Sequence, residues 1–314
     1  MDDRSIKHLE RVAELLVQGE LYLFAGAGLS CRVGIPKWTD LLNAFVSEYK
    51  KRPYHSVPRA EEMEYFAKSN NRPEFFEVMI NEDLGRIVLI DVMKNYFCND
   101  KCDIIHKEIL DLPFKSIVTT NYDTCFENAC TKYVLCPEMA ESRWFCFPEY
   151  NGRALDIGQM LNGQKFLLHM HGCFWRSKDK YFEVENLVLA PSQYHKFYKR
   201  NEMNRILSEL KDKYVLFIET SLTDIYFLNA MREVRKPKSD NERANAKEWF
   251  RLCSGKDCTA MRDEENFIMR HIHYDRNNDG LLGIIRTITG LVDSKKRGVS
   301  IYMDPGNIGT GRGI

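Results

Sequence analysis

This chain has no excess of either charge. Lysine plus arginine and aspartate plus glutamate balance at 45 each over 314 residues, so the field of the whole molecule does not draw it toward nucleic acid or an anionic membrane. Long apolar runs are missing, and nothing approaches the roughly 18 consecutive apolar residues of a membrane span. The N-terminus, MDDRSIKHLE, lacks the basic-then-apolar build of a secretory signal. The ten cysteines include no Cys-x-x-Cys pair, which disfavours a zinc ribbon. Reduced thiols and a cytoplasmic location are therefore expected. Internal repeats and extended low-complexity blocks are lacking as well.

What remains is ordinary globular composition, 44% hydrophobic and 29% charged, in a chain long enough for one large α/β domain or two modest ones. Ile6, Leu9, Val12, Leu15 and Leu16 recur at helical spacing with Gly19 as a stop, and LYLFA at 21–25 reads as a buried strand. A helix with Thr39 or Asp40 as N-cap is expected over WTDLLNAFVSEYK. Residues from about 58 to 112 read as helical pieces broken at Pro73, Gly85 and Pro113. Strand signals return in FKSIVTTNYD, QKFLLHMHG, NLVLAPS, DKYVLFIETS and NFIMRHIHYD, most of them followed by a helical pattern. Apolar strands alternating with helices predict an α/β fold, a mostly parallel sheet covered on both faces. The charged stretch from Arg232 to Cys258 reads as a surface excursion, and the glycine-rich tail at 301–314 as loose.

Four clusters could carry chemistry, each behind a strand. The first is GAGLSCRVGIP, residues 26–36, whose glycines would let a phosphate approach the backbone or would simply make a tight turn. In TTNYD, residues 119–123, Asn121 and Asp123 could bond a carboxamide or orient a water, or the cluster could cap the next helix. His169 and His171 in HMHG share a strand face, so a metal pair has to be weighed. A third ligand could come from His271 or His273, but one histidine in catalysis and the other satisfied in the core is the favoured reading. In ETSLTD, Thr220 and Ser221 could reach a ribose or phosphate, while Ser221 or Thr223 could equally cap a helix.

Taken in order, G-A-G-x-S-x-x-x-G-I-P, T-T-N-x-D, H-G and T-S-L resemble the sirtuin family over roughly residues 20 to 230. The resemblance implies a Rossmann-like core at about 1–40 and 113–300, with a helical insertion at about 41–112. It implies an NAD site in which Gly26, Ala27, Gly28, Ser30, Gly34, Ile35, Pro36, Trp38, Thr120, Thr220 and Ser221 hold the dinucleotide. Asn121, Asp123 and His171 would then serve the glycosidic bond.

The chain departs from the family's protein deacylases in three ways. The paired Cys-x-x-Cys zinc module is missing between Cys173 and Leu187, so no zinc is expected. Thr119-Thr120 stands where Thr-Gln is usual, and Trp38 where an acidic-aromatic-Arg run is usual. Both look like the prokaryotic branch that hydrolyses NAD in anti-phage defence. Finally, Glu219 stands at a position usually held by glycine, where a carboxylate would repel a phosphate unless it turns away or binds a hydroxyl.

The resemblance therefore implies an NAD+ hydrolase releasing nicotinamide and ADP-ribose. The alternatives are a weakly active NAD or ADP-ribose binding subunit and, further off, an NAD-dependent deacylase. An unrestrained NAD hydrolase would be toxic, so control by homo-oligomerisation or by a partner such as a HerA-type ATPase is expected. No fused sensor beyond the core is expected.

Overall fold

The computed structural model describes residues 1–133, 144–146, 165–174, 184, 187–198, 201–222, 224–236, 239–254, 269–275 and 280–298, with backbone only at 144–146, 201–205 and 242–243. Seven parallel strands form one sheet in the order β3-β4-β2-β1-β5-β6-β7. These are β1 (Leu21–Ala25), β2 (Ile117–Thr119), β3 (Trp144–Cys146), β4 (Leu167–His169), β5 (Tyr214–Ile218), β6 (Trp249–Ser254) and β7 (Met269–Tyr274). This is the α/β class with a parallel sheet that the pattern of strands and helices predicts, and it agrees with the Rossmann-like core that the resemblance implies.

The two-residue period of β1 assigns its side chains to two cores. Leu21, Leu23 and Ala25 pack on one face with α1 (Asp3–Val17), α7 (Ile104–Asp111), α8 (Cys125–Tyr133) and α13 (Gly280–Lys296). Tyr22 and Phe24 pack on the other with α9 (Pro191–Tyr198), α10 (Asn201–Lys211) and α11 (Ile225–Arg235). Because both faces are covered, β1, β2 and β4 are buried throughout and β5 and β6 nearly so, with mostly apolar residues, while the edge strand β7 is largely half-buried and carries Arg270, His271 and His273.

Between β1 and β2 the chain is entirely helical. After the short α2 (Ala27–Cys31) come α3 (Trp38–Lys51), α4 (Val57–Lys68), α5 (Arg72–Ile80), α6 (Asp83–Phe97) and then α7. Helices α3–α6 share a third core, with Phe45, Phe75, Phe76, Met79 and Leu89, that reaches Tyr122 and Leu189 at the sheet's end.

Several local expectations are corrected. α3 starts at Trp38 with Lys37 at its N-cap and no side-chain cap, so neither Thr39 nor Asp40 serves. Gly85 does not break a helix; it lies in the first turn of α6, where a Cβ would strike the Met79 carbonyl. NLVLAPS contributes no strand among its described residues. Leu187–Ala190 are buried irregular chain, tied by Val188 N–H to the His171 carbonyl and by two N–H groups to Gln193. The charged stretch from Arg232 hides the interior strand β6, preceded by the short helix α12 (Asp240–Asn245). The tail at 301–314 lies outside the described residues.

From β1 the chain builds leftward through β2 to β4 and β3, then returns to place β5 on the other side of β1. The order therefore reverses between β1 and β5, and in an open parallel sheet ligands bind in the crevice at the carboxyl ends of the strands beside such a reversal.

Candidate active site

A cavity of about 780 Å³ opens at that point, within the range of small-molecule sites. Its wall includes Gly26, Ala27, Gly28, Ser30, Ile35, Pro36 and Trp38 after β1, Thr120, Asn121 and Asp123 after β2, His171 after β4, and Thr220 and Ser221 after β5. The residues expected to form a site thus come together from four strand ends. Gly34 alone stands outside the wall. It is exposed at φ +80°, a turn conformation in which a side chain would be strained.

The floor is a hydrogen-bonded chain. Thr119 Oγ1 donates to the Ala25 carbonyl at 2.9 Å and accepts the Asn121 N–H at 3.0 Å, bracing the end of β2 against β1. Asn121 Nδ2 donates to the Gly26 carbonyl at 3.1 Å and to Ser30 Oγ at 3.0 Å. Ser30 in turn donates to Asp123 Oδ2 at 2.5 Å, and Asp123 Oδ1 accepts the Cys125 N–H at the head of α8. Asp123 is therefore both helix cap and site residue. With both amide protons of Asn121 engaged, its carbonyl oxygen is what it can offer a ligand, an acceptor suited to a water, a hydroxyl or a developing cation.

The two HMHG histidines part company where β4 ends. His169 turns into the core against Glu127, while His171 lines the cavity with Nε2 2.7 Å from the Tyr198 hydroxyl. His271 and His273 lie on β7 at the far edge of the sheet. Among the described residues no group of three His, Cys, Asp or Glu could hold a metal ion.

Burial pushes His171 down to about 4, with Asp224 opposing only weakly, so its imidazole is neutral across the physiological range. A histidine that resists protonation only when folded gives stability that is complete above its unfolded pKa near 6.5. That stability is lost as pH falls from there toward 4, on the order of 3 kcal/mol in all. His8 and His106 are also lowered by burial and act in the same direction, whereas His169 is raised and acts in the opposite one. Thermal melts at pH 7, 5.5 and 4 should show His171→Gln losing less stability on acidification than the unmodified chain; equal losses would contradict this assignment.

Glu219 ends β5 at φ +52°, the left-handed region that favours glycine. Its Oε1 accepts the Tyr274 hydroxyl at 2.6 Å, and its carboxylate lies over Gly28. The repulsion expected of a carboxylate here is met by a hydroxyl, but a hydroxyl of the protein. The glycine turn accordingly has a second duty. A Cβ on Gly26 would fall within 2.7 Å of the Glu219–Thr220 backbone, and one on Gly28 within 3.0 Å of the Glu219 side chain. These glycines admit the end of β5 as well as opening the cavity mouth.

Thr220, just past β5, lines the cavity, and its Oγ1 is buried with no hydrogen-bond partner among the described residues. The next helix is capped by Asp224, which also accepts from Tyr194. Trp38 packs edge-on to Phe76 and Tyr122, with the Arg72 guanidinium 5.6 Å from its ring.

Sequence reasoning missed Tyr194, Tyr198, Asp224, Arg251 and Tyr274. The i, i+4 spacing of Tyr194 and Tyr198 on one helix was the available signal for that pair. Arg251, buried on β6, lines the cavity and donates to the Thr220 carbonyl at 2.9 Å, but it was hidden by the charged context of its strand.

Residues 115–268 match the family model of the SIR2-like domain. The chain is similar to defense-associated sirtuin 2 of Bacillus subtilis, 23% identical over 77% of this chain and 22% of that protein. It is also similar to the NAD(+) hydrolase ThsA of Cytobacillus dafuensis, 23% identical over 64% of this chain and 35% of that protein. It thus spans well under half the length of either relative. A solved structure of Sir2Tm bound to a propionylated peptide aligns with TM-score 0.39 and 14% identity over 93% of this chain and 99% of that one. No helix among the described residues is long and apolar enough to cross a membrane. Residues 115–268 are thus similar to a SIR2-like domain, and the chain resembles the two sirtuin-related proteins over most of its length.

Proposed function

We propose that the protein hydrolyses NAD+ at the nicotinamide–ribose bond and serves as an NAD-depleting effector of anti-phage defence. The carrying observation is that the Asn121 carboxamide, with its two donors engaged, and a neutral His171 line one cavity at the reversal of strand order. The glycine turn and the open Thr220 hydroxyl line it too. The names of the two relatives support the reading.

The chemistry suits such a site. The C–N bond to a cationic nicotinamide breaks, its electron pair leaves with neutral nicotinamide, and a water oxygen bonds the anomeric carbon while its proton passes to solvent. The transition state resembles an oxocarbenium ion, so an acceptor oxygen is more useful than a donor. The Asn121 carbonyl oxygen directs the water and faces the growing positive charge. Asp123 acts through Ser30 to hold that carboxamide in place. His171, held by Tyr198 through Nε2, offers Nδ1 to a ribose hydroxyl; with a pKa near 4 it is a hydrogen-bonding group rather than a strong base. Thr220, Ser221 and the glycine turn hold the remainder of the dinucleotide, and restraint falls to self-association or a partner protein.

Incubation of the protein with NAD alone, followed by chromatography, should yield nicotinamide and ADP-ribose in equal amounts. Release only on addition of an acylated peptide would select a deacylase. Calorimetric binding without any product would select a sensing subunit.

A further inference from the structure

Only one imidazole of HMHG enters this chemistry. The other, His169, lies 1% exposed beneath Asn121, and each of its nitrogens meets an oxygen suited to accept. Nδ1 is 2.9 Å from the Asn121 backbone carbonyl, and Nε2 is 2.8 Å from Glu127 Oε1. A neutral imidazole has a single N–H and would set a lone pair against one of these oxygens, whereas an imidazolium satisfies both. Glu127 is itself buried, and its Oε2 has no hydrogen-bond partner among the described residues. A carboxylate in that setting needs a counter-charge, and His169 is the cation within reach.

We propose that His169 is an imidazolium ion-paired with Glu127, and that it is a positioning residue which fixes the Asn121 peptide, and through it the Asn121 carboxamide, at the cavity floor.

The electrostatics agree. Burial alone would lower His169, but the Glu127 carboxylate, the Asn121 carbonyl and Asp123 together raise it above its ordinary value. The charged groups facing it are Glu127 on α8 and Asp123 in the loop before that helix. His171, two residues on, is lowered by burial. One three-residue motif thus holds a charged and a neutral imidazole across the neutral range, the separation by which sites assign distinct proton roles to like groups. When His169 loses its proton in alkali, Nε2 presents a lone pair to Glu127 and the hold on the Asn121 carbonyl loosens.

The kinetic part of this inference rests on Asn121 acting in NAD hydrolysis; the protonation state does not. In the full chain labelled with 15N-histidine, His169 should show protons on both nitrogens at pH 7.5. A bare Nε2, with the proton residing on Glu127, would overturn the proposal. Glu127→Gln keeps the size and one hydrogen bond but removes the charge, and is milder than replacing the histidine. It should lower kcat for nicotinamide release by about tenfold with KM little changed, and shift the alkaline limb of the rate profile to lower pH. A limb that stays in place would overturn the positioning role. If the unmodified chain releases no nicotinamide, the hydrolase reading fails, while the spectrum still decides the charge on His169.

Discussion

Asn121→Ala should abolish nicotinamide release, with a loss of about 10²- to 10⁴-fold in kcat, while the chain stays folded. In the proposed mechanism the carboxamide is the group that accepts from the attacking water, and alanine leaves nothing at that point. The same change frees the Gly26 carbonyl and Ser30 Oγ from their bonds to Nδ2, which costs about 1–3 kcal/mol. Thermal melting must therefore accompany the assay. Asn121→Asp supplies a sharper comparison. It retains an oxygen but loses the donors, so the side chain can no longer be held by the Gly26 carbonyl. It should also be inactive if orientation matters as much as the acceptor itself. Measured turnover within a few-fold of the unmodified enzyme in a well-folded Asn121→Ala chain would remove Asn121 from the mechanism.

The second large effect concerns Gly26, Gly28 and Glu219. Gly26→Ala drives a Cβ into the Glu219 carbonyl and the Thr220 Cα. Backbone at the end of an interior strand has little room to retreat, so a loss on the order of 3 kcal/mol or more is expected. Gly28→Ala collides instead with the Glu219 side chain, which can be removed. A double-mutant cycle should therefore show Gly28→Ala destabilising alone and nearly silent in the Glu219→Gly background, with a coupling of about 1–3 kcal/mol. Glycine at 219 also accepts φ +52° without strain, which offsets part of the lost bond to Tyr274. Gly26→Ala should stay destabilising in both backgrounds. Urea denaturation of the four chains measures the cycle, and additive losses for Gly28→Ala and Glu219→Gly would show that the contact carries no energy.

How far the sequence could be read follows from where each signal lay. β1 and the motifs behind β2, β4 and β5 were legible because an apolar run ending in Gly, Asn, His or Ser has few other meanings in a parallel sheet. Strand β6 was not, since Arg251 interrupts a short apolar run inside a charged stretch and nothing local says that its guanidinium is buried against the Thr220 carbonyl. Leu187–Ala190 misled in the opposite sense, because continuous burial looks the same in a strand and in irregular chain packed at a sheet's end. His169 and His171 share a face only while the strand lasts, and the strand stops at His169. Glu219 was visible as an anomaly, but its partner Tyr274 comes from 55 residues away. Contacts of that reach are written in the topology rather than in any window of residues.

The cavity wall draws on Gly26, Asn121, His171 and Glu219, just past the ends of β1, β2, β4 and β5, and on Arg251 within β6. The pairings that bring these positions together are distant along the chain and form slowly. A nascent polypeptide released before β6 would have its glycine turn and its asparagine but lack Arg251 and the strand beside β5. On the proposed reading, activity would begin only after synthesis has passed β6, and products truncated before it would be inert toward the dinucleotide.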